Sequence, residues 1–173
     1  MLLDFLDIDL TNSARFALWS LPFILPICFL VAWSDMRAMR IPNWCVLVMF
    51  GVYIVIGVLT LPFTMFLWGF VSLLVVLFIG FFMNAVGMIG AGDAKFAAAA
   101  APFIAMSDFR FVIALFAANI LAAFMTHRMV AKTKMTGLAP SWDSWERTWE
   151  FPMGLSLGGT LAIYLILSAL TGV

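Results

Sequence analysis

The sequence has 173 residues, of which 65% are hydrophobic and 10% are charged, and its mean hydropathy is +1.13. A soluble domain carries about a quarter charged residues, so this composition excludes a soluble globular protein and indicates an integral membrane protein. The formal net charge is zero and no basic tract is present, so we expect no nucleic-acid partner. Three aspartates make the first ten residues acidic, which is not typical of a cleaved signal peptide.

Apolar runs follow one another along the whole chain, and helices are expected because open strands cannot exist in lipid. The runs predict an all-α fold with six transmembrane helices in a single membrane domain over residues 1–173. The helices are predicted at about 16–33, 44–61, 63–86, 94–106, 111–129 and 151–170. The fourth is short, since about 13 residues cover roughly 20 Å of a hydrocarbon core about 30 Å thick.

The distribution of Lys and Arg predicts the orientation of these helices. Six crossings place both termini on one side together with Arg15 and Arg110. The other side then has seven basic residues: Arg37, Arg40, Lys95, Arg128, Lys132, Lys134 and Arg147. We therefore expect the loops 34–43, 87–95 and 126–150 to face the cytoplasm and both termini to lie outside it.

The last of these loops ends in a tryptophan-rich segment. Trp142, Trp145 and Trp149 are spaced as one stripe of a helix. This pattern predicts a short amphipathic helix at about 141–150 that lies in the membrane interface. It would serve as a membrane anchor, or as a wall or lid over a site on the cytoplasmic face.

Two aspartates, Asp35 and Asp93, are predicted on this same face, each at the boundary of an apolar run. When two carboxyls share a site of low dielectric constant, both cannot easily be ionised, and the pair holds one proton. The ionised partner can take a proton from water while the protonated partner polarises a carbonyl, as in aspartic proteases. The two residues are therefore candidates for a catalytic acid/base pair.

Structural interpretations remain open for both aspartates. Asp93 lies where a helix is predicted to begin, so it could be the N-cap, or it could form an ion pair with Lys95. Asp35 is at the end of a helix, where a negative charge is unfavourable, and it could instead pair with Arg37 or Arg40. Gly90 and Gly92 precede Asp93, where they would allow a tight turn and the close approach of another backbone.

Other side chains offer no competing chemistry. His127 is the only histidine, and we interpret it as an interfacial residue. Cys28 and Cys45 are isolated among apolar residues and are predicted to lie in the core. No His, Cys and carboxylate cluster has the spacing of metal ligands, so we expect neither a metal nor a cofactor.

Two motifs of this sequence resemble those of the type IV prepilin peptidases, which are membrane aspartic proteases of the GxGD class. In "SDMRAMRIPN", Asp35, Pro42 and Asn43 match the first motif of the family. In "GAGDAKF", Gly90, Gly92, Asp93 and Lys95 match the second. The six-helix layout also agrees, and the chain is most similar to the small single-domain members that serve tight-adherence (Flp-type) pili.

The resemblance implies that Asp35 and Asp93 are the catalytic pair. It also implies that the chain lies in a bacterial inner membrane and cleaves the basic leader of a prepilin, at the cytoplasmic surface just before the pilin's hydrophobic segment. Two departures qualify it. The four cysteines of the family's methyltransferase domain are missing, so we expect no N-methylation by this chain. "FPMG" keeps Pro152 and Gly154 of a third family motif but has Met153 where an aromatic residue is usual.

Two other classes of function compete with the peptidase. A transporter or proton-coupled subunit would also use intramembrane carboxylates, although such sites tend to lie near the midplane. A noncatalytic pilus assembly factor could keep the same fold. The sequence does not indicate the oligomeric state.

Overall fold

The computed structural model describes residues 10–133, 137, 141–146 and 151–173. Its described residues form helices and turns with no strand, which confirms the all-α prediction. The helices are α1 (Ala14–Ala38), α2 (Asn43–Thr60), α3 (Phe63–Ala85), α4 (Ala91–Ala100), α5 (Phe109–Ala131), α6 (Asp143–Glu146) and α7 (Met153–Thr171). Two 3-10 turns, Ala101–Phe103 and Met106–Asp108, connect α4 to α5.

Five of these helices are long and apolar enough to cross a membrane: α1, α2, α3, α5 with its preceding turn, and α7. Each lies where a transmembrane helix was predicted. The protein is therefore an all-α integral membrane protein with several membrane-spanning helices.

The fourth predicted helix differs from the expectation. It was predicted over residues 94–106, but α4 begins three residues earlier and ends at Ala100. Its ten residues extend about 15 Å, which is too short to span the hydrocarbon core. Pro102 lies in the 3-10 turn that follows, and Ile104 is extended, so the helix does not continue. The chain nevertheless continues through the two 3-10 turns to the other end of the bundle. There Asp108 accepts hydrogen bonds from Thr11 and Asn12, just before α1.

The predicted interfacial helix is described only in part. One turn, α6, is present, whereas residues 147–150, including Trp149, lie outside the described residues. Trp142 and Trp145 stack on each other with ring centroids 5.9 Å apart. Trp142 also contacts Trp33 of α1, and Trp145 stacks on His127 of α5 at 4.8 Å. The two described tryptophans therefore pack against helix ends.

Among the described residues, α1 and α7 make the most extensive helix–helix contact. A stripe of buried side chains runs down α1 from Phe16 through Ile24 and Val31 to Asp35, with the spacing of one helix face. The backbones approach closely at Gly158 of α7, where an added Cβ would lie 2.9 Å from the carbonyl oxygen of Cys28. Cys28 and Cys45 are both buried, as predicted.

A hydrogen-bonded cluster closes the end of the bundle away from Asp35. Asp108 is 5% exposed and accepts hydrogen bonds from the backbone N–H groups of Thr11 and Asn12 and from the Tyr164 hydroxyl, the last at 2.8 Å. These bonds join the residues before α1 to the start of α5 and to α7. The buried carboxylate is thus matched by several donors, as a buried charge requires.

Replacement of Gly158 by Ala should destabilise the protein, because the new Cβ would force α1 and α7 apart. We expect the free energy of unfolding to fall by about 1–3 kcal/mol, measured by thermal unfolding in detergent. Gly51→Ala is the matched control, because an added Cβ at Gly51 has no neighbour within 4 Å. Equal stability of the two variants would contradict this packing.

Candidate functional site

Asp35 lies in the last turn of α1 and is 6% exposed. Its Oδ2 accepts a hydrogen bond of 2.7 Å from the backbone N–H of Gly154. Gly154 is the second residue of α7, so the Asp35 carboxylate lies at the N-terminus of that helix. The free N–H groups and the helix dipole at this position stabilise a negative charge. The unfavourable position of Asp35 at the end of α1 is therefore compensated by α7.

The alternative ion pair of Asp35 with a neighbouring arginine is not among the contacts of the described residues. Arg37 and Arg40 are exposed, and the hydrogen bond that the described residues give to the Asp35 carboxylate comes from Gly154. The backbone carbonyl of Asp35 accepts a hydrogen bond from the backbone N–H of Met39. Met39 is the C-cap residue, and its left-handed conformation (φ of 50°) ends the helix.

Gly154 has no space for a side chain. A Cβ added there would lie 2.9 Å from the Cβ of Asp35 and 3.0 Å from its Oδ2. Both the N–H and the missing side chain of Gly154 are therefore needed to hold the carboxylate where it is. The signal for this glycine in the sequence is the short motif "FPMG", which contains Gly154 at the start of a predicted helix but does not by itself indicate a role for it.

Asp93 is the third residue of α4, which begins at Ala91 with Gly90 as its N-cap. It is therefore not the N-cap itself. Its carboxyl accepts a hydrogen bond from the backbone of Gly90, the contact that an acidic residue at this position makes in a capping box. A Cβ added at Gly90 would lie 2.7 Å from Oδ2 of Asp93, so Gly90 leaves the space that this carboxyl occupies.

The two sequence motifs contact each other, and this contact brings the aspartates to one site. Gly92 packs on Ile41, because an added Cβ would be 3.3 Å from the Ile41 Cβ. Nζ of Lys95 donates a hydrogen bond of 3.3 Å to Oδ1 of Asn43. Pro42 is the N-cap residue of α2. This contact with Asn43, and not the alternative ion pair with Asp93, is the described interaction of the Lys95 side chain. Ile41 is a packing residue that the sequence did not single out.

The tight turn before α4 is made by a different glycine from the two expected. Gly87 has a φ of +76°, whereas Gly90 has a φ of −68°. Asn84 supports the turn by donating a hydrogen bond of 2.8 Å to the carbonyl of Ile89. Gly90 and Gly92 therefore act through the close approach they permit, not through an unusual backbone conformation.

The electrostatic environment of Asp93 favours its protonated form. Burial raises the pKa of Asp93, the charge of Asp35 raises it further, and the hydrogen bond from Gly90 lowers it, so that the pKa is about 6. The contribution of Asp35 means that the two carboxyls interact as a pair. Such a pair can hold one proton near neutral pH, with one partner available as a base and the other as an acid.

The remaining candidate residues lie elsewhere. His127 is buried between Trp145 and Phe151, which is a more enclosed position than the interfacial one predicted. Within the described ranges, no group of three or more His, Cys, Asp or Glu side chains is placed to hold a metal ion. A cavity of about 400 Å³ lies at the opposite end of the bundle, between Thr11, Trp68 and Met106, and contains neither aspartate.

The raised pKa of Asp93 should make the stability of the protein depend on pH. Between about pH 4 and pH 6 the folded state holds a proton that an unfolded Asp releases. Stability is thus highest below this window and decreases as the pH rises through it. The midpoint of thermal unfolding in detergent should fall more from pH 4 to pH 7 for the wild type than for Asp93→Asn. Parallel pH curves for the two proteins would contradict the raised pKa.

Comparison with known proteins gives one match. A model of the type IV leader peptidase family matches residues 23–127, which include both motifs and both aspartates. No curated protein and no solved structure matches the chain. Because the match covers more than half of the sequence and agrees with the motifs and the helical fold, the chain belongs to the type IV leader peptidase family.

Proposed function

We propose that this protein is a membrane aspartic endopeptidase that removes the leader peptide of Flp-type prepilins, with Asp35 and Asp93 as its catalytic pair. The observation that carries the proposal is the contact between the two motifs through Gly92 and Lys95, and the charge of Asp35, which raises the pKa of Asp93, agrees with it. Membership of the leader peptidase family supports the reaction class. The Flp-type substrate is supported by the resemblance of the two motifs to those of the prepilin peptidases.

The proposed mechanism uses the single proton of the pair. The ionised carboxylate takes a proton from a water molecule, which attacks the carbonyl carbon of the scissile peptide bond. The protonated carboxyl donates a hydrogen bond to the carbonyl oxygen and stabilises the negative charge that develops there. The proton taken from water then passes to the leaving amine.

The helix ends around the pair suit this chemistry. The N–H group of Gly154 at the start of α7 stabilises a charged Asp35 without a counter-ion. A hydrogen bond from a backbone amide is fixed by the fold, so it does not need to reorganise during the reaction. Burial of Asp93 keeps a proton available on the pair at a higher pH than an exposed carboxyl would allow.

The proposed location is a bacterial inner membrane, with the aspartate pair at its cytoplasmic surface and both termini on the opposite side. The basic residues near the pair support this orientation, since Arg37 and Arg40 follow Asp35 and Lys95 follows Asp93. Prepilin leaders would then meet the site before the pilin is exported.

Asparagine in place of either aspartate should abolish cleavage, because the amide keeps the size of the side chain but can neither accept nor donate the proton. We expect processing of a co-expressed Flp-type prepilin to fall at least ~10²-fold in Asp35→Asn and in Asp93→Asn, compared at equal membrane levels. Asp143→Asn is the control, since Asp143 is exposed in α6. Processing that survives either of the first two changes would remove that aspartate from the mechanism and favour a carrier or assembly role.

Alanine in place of Gly154 should reduce catalysis without removing either carboxyl. The added Cβ would displace the Asp35 side chain, and a displacement of about 1 Å can lower the rate ~10²-fold. We therefore expect a lower kcat for prepilin cleavage by Gly154→Ala in detergent. Gly51→Ala, where the new Cβ meets no neighbour, should keep the wild-type kcat. An unchanged kcat in Gly154→Ala would show that the position of Asp35 does not depend on this glycine.

A further inference from the structure

Aromatic side chains from three helices and the segment before α7 form one continuous row of ring contacts at the end of the bundle that contains Asp35. In order along this aromatic row, they are Trp33, Trp142, Trp145, His127 and Phe151. Successive ring centroids are 6.1, 5.9, 4.8 and 6.0 Å apart, which is within the range of favourable aromatic pairs. The row therefore joins the ends of α1, α6, α5 and α7.

His127 of α5 lies where the two arms of the aromatic row meet. It is 3% exposed. Its ring stacks on Trp145 with an interplanar angle of 12° and meets Phe151 edge-on at 82°. Neither ring nitrogen has a hydrogen-bond partner within the part of the chain that the structure describes. The described contacts of His127 are thus made by the face and the edge of its ring.

The Phe151 arm leads to the donor of the hydrogen bond that Asp35 accepts. Phe151 is three residues before Gly154, whose backbone nitrogen lies 2.7 Å from Oδ2 of Asp35. Pro152, between them, is fully buried and is the N-cap residue of α7. Because the proline ring fixes φ and Gly154 already belongs to the helix, few torsions in this segment can absorb a shift. A displacement of Phe151 is therefore passed on to the N–H of Gly154.

The other arm leads to the helix that carries the acceptor. Trp33 lies two residues before Asp35 in α1, and its ring contacts Trp142. The aromatic row thus joins the end of α1 to the start of α7, in parallel with the hydrogen bond that Asp35 accepts. His127 sets the spacing between the two arms, because its ring contacts the nearest ring of each.

We propose that His127 is a positioning residue for Asp35, an inference that rests on the proposed function because it takes Asp35 as one of the catalytic pair. The planar ring of His127 separates the two arms by a fixed distance and keeps the N–H of Gly154 at hydrogen-bond distance from the carboxylate. The shape of the ring carries this role, and proton transfer by the imidazole has no part in it. Another planar ring should therefore replace it, whereas a branched aliphatic side chain should not.

Two substitutions separate the shape of the ring from its nitrogens. His127→Phe keeps a planar ring, and His127→Leu replaces it by a branched side chain of similar size. We expect the kcat for prepilin cleavage, per folded enzyme in detergent, to stay within about twofold of the wild type in His127→Phe and to fall about tenfold in His127→Leu. KM should not change, because the ring does not contact the substrate. Loss of kcat in His127→Phe, wild-type kcat in His127→Leu, or a change confined to KM would overturn the proposal.

Phe103→Leu is the matched control for packing. Phe103 is likewise a buried ring that stacks on another aromatic side chain, but its carbonyl accepts a hydrogen bond from Asn12 at the opposite end of the bundle. We expect Phe103→Leu to lower the midpoint of thermal unfolding, as His127→Leu does, and to keep the wild-type kcat per folded enzyme. An equal loss of kcat in both variants would show that His127 acts through stability alone, against the proposal.

A double-mutant cycle with Gly154→Ala tests the path of the effect. Asp35 is already displaced in that background, so His127→Leu should lower kcat by less than about twofold further. Phe151→Leu interrupts the same path at a less buried position. It should behave in the same way, and it replaces His127→Leu if that variant does not fold. A further tenfold fall in the double variant would show that the effect does not pass through Gly154 and would overturn the proposal.

The two proposals can fail separately. If the wild type cleaves prepilin but the variants of His127 depart from these results, the proposed function stands and the positioning role is wrong. If the wild type does not cleave prepilin under conditions where it is folded in the membrane, the proposed function fails and the positioning role fails with it.

Discussion

Backbone N–H groups at two helix N-termini hold the two carboxyls of the site, and the rest of the arrangement depends on this constraint. The carboxyl of Asp35 accepts a hydrogen bond from the backbone N–H of Gly154 at the start of α7. The carboxyl of Asp93 accepts a backbone hydrogen bond from Gly90 at the start of α4. Burial of Asp93 and the charge of Asp35 raise the pKa of Asp93, whereas the hydrogen bond from Gly90 lowers that pKa. In the proposed mechanism, a single proton shared by the two carboxyls would satisfy both effects.

Close backbone packing brings these helix ends together. Gly154 and Gly158 let α7 lie directly against α1, and Gly80 of α3 does the same for α4, since an added Cβ at Gly80 would be 2.9 Å from the Cβ of Ala94. Helices in lipid associate through such close contacts, because lipid offers no hydrophobic driving force between them. The geometry of the site therefore depends on these three glycines, which have no side chain, as much as on the aspartates.

Much of this could be predicted from the sequence, because hydropathy determines the long helices and the two motifs identify the aspartates. The end of α4 was missed, since a run of alanines continues the apolar pattern although Pro102 stops the helix. The hydrogen bond from Gly154 to Asp35 joins residues 119 positions apart, and no local pattern encodes such a contact. The spacing of Trp142, Trp145 and Trp149 predicted an interfacial helix, and the contacts of the Trp142 and Trp145 rings with Trp33 and His127 join distant parts of the chain that this spacing does not encode.

The Asp108 cluster has a consequence for how the site could open. Because α1 and α7 are joined near Asp35 by Gly154 and at the far end through Asp108 and Tyr164, these two helices must move as one body. Asp108 is also the N-cap residue of α5, so α5 is fixed at that end. The side-chain amide of Asn119 also donates hydrogen bonds from the middle of α5 to Ser156 and Thr160 of α7, so movement of α5 relative to α7 is restricted to the turns beyond Asn119. Lateral entry from the bilayer would then occur at the level of the aspartates.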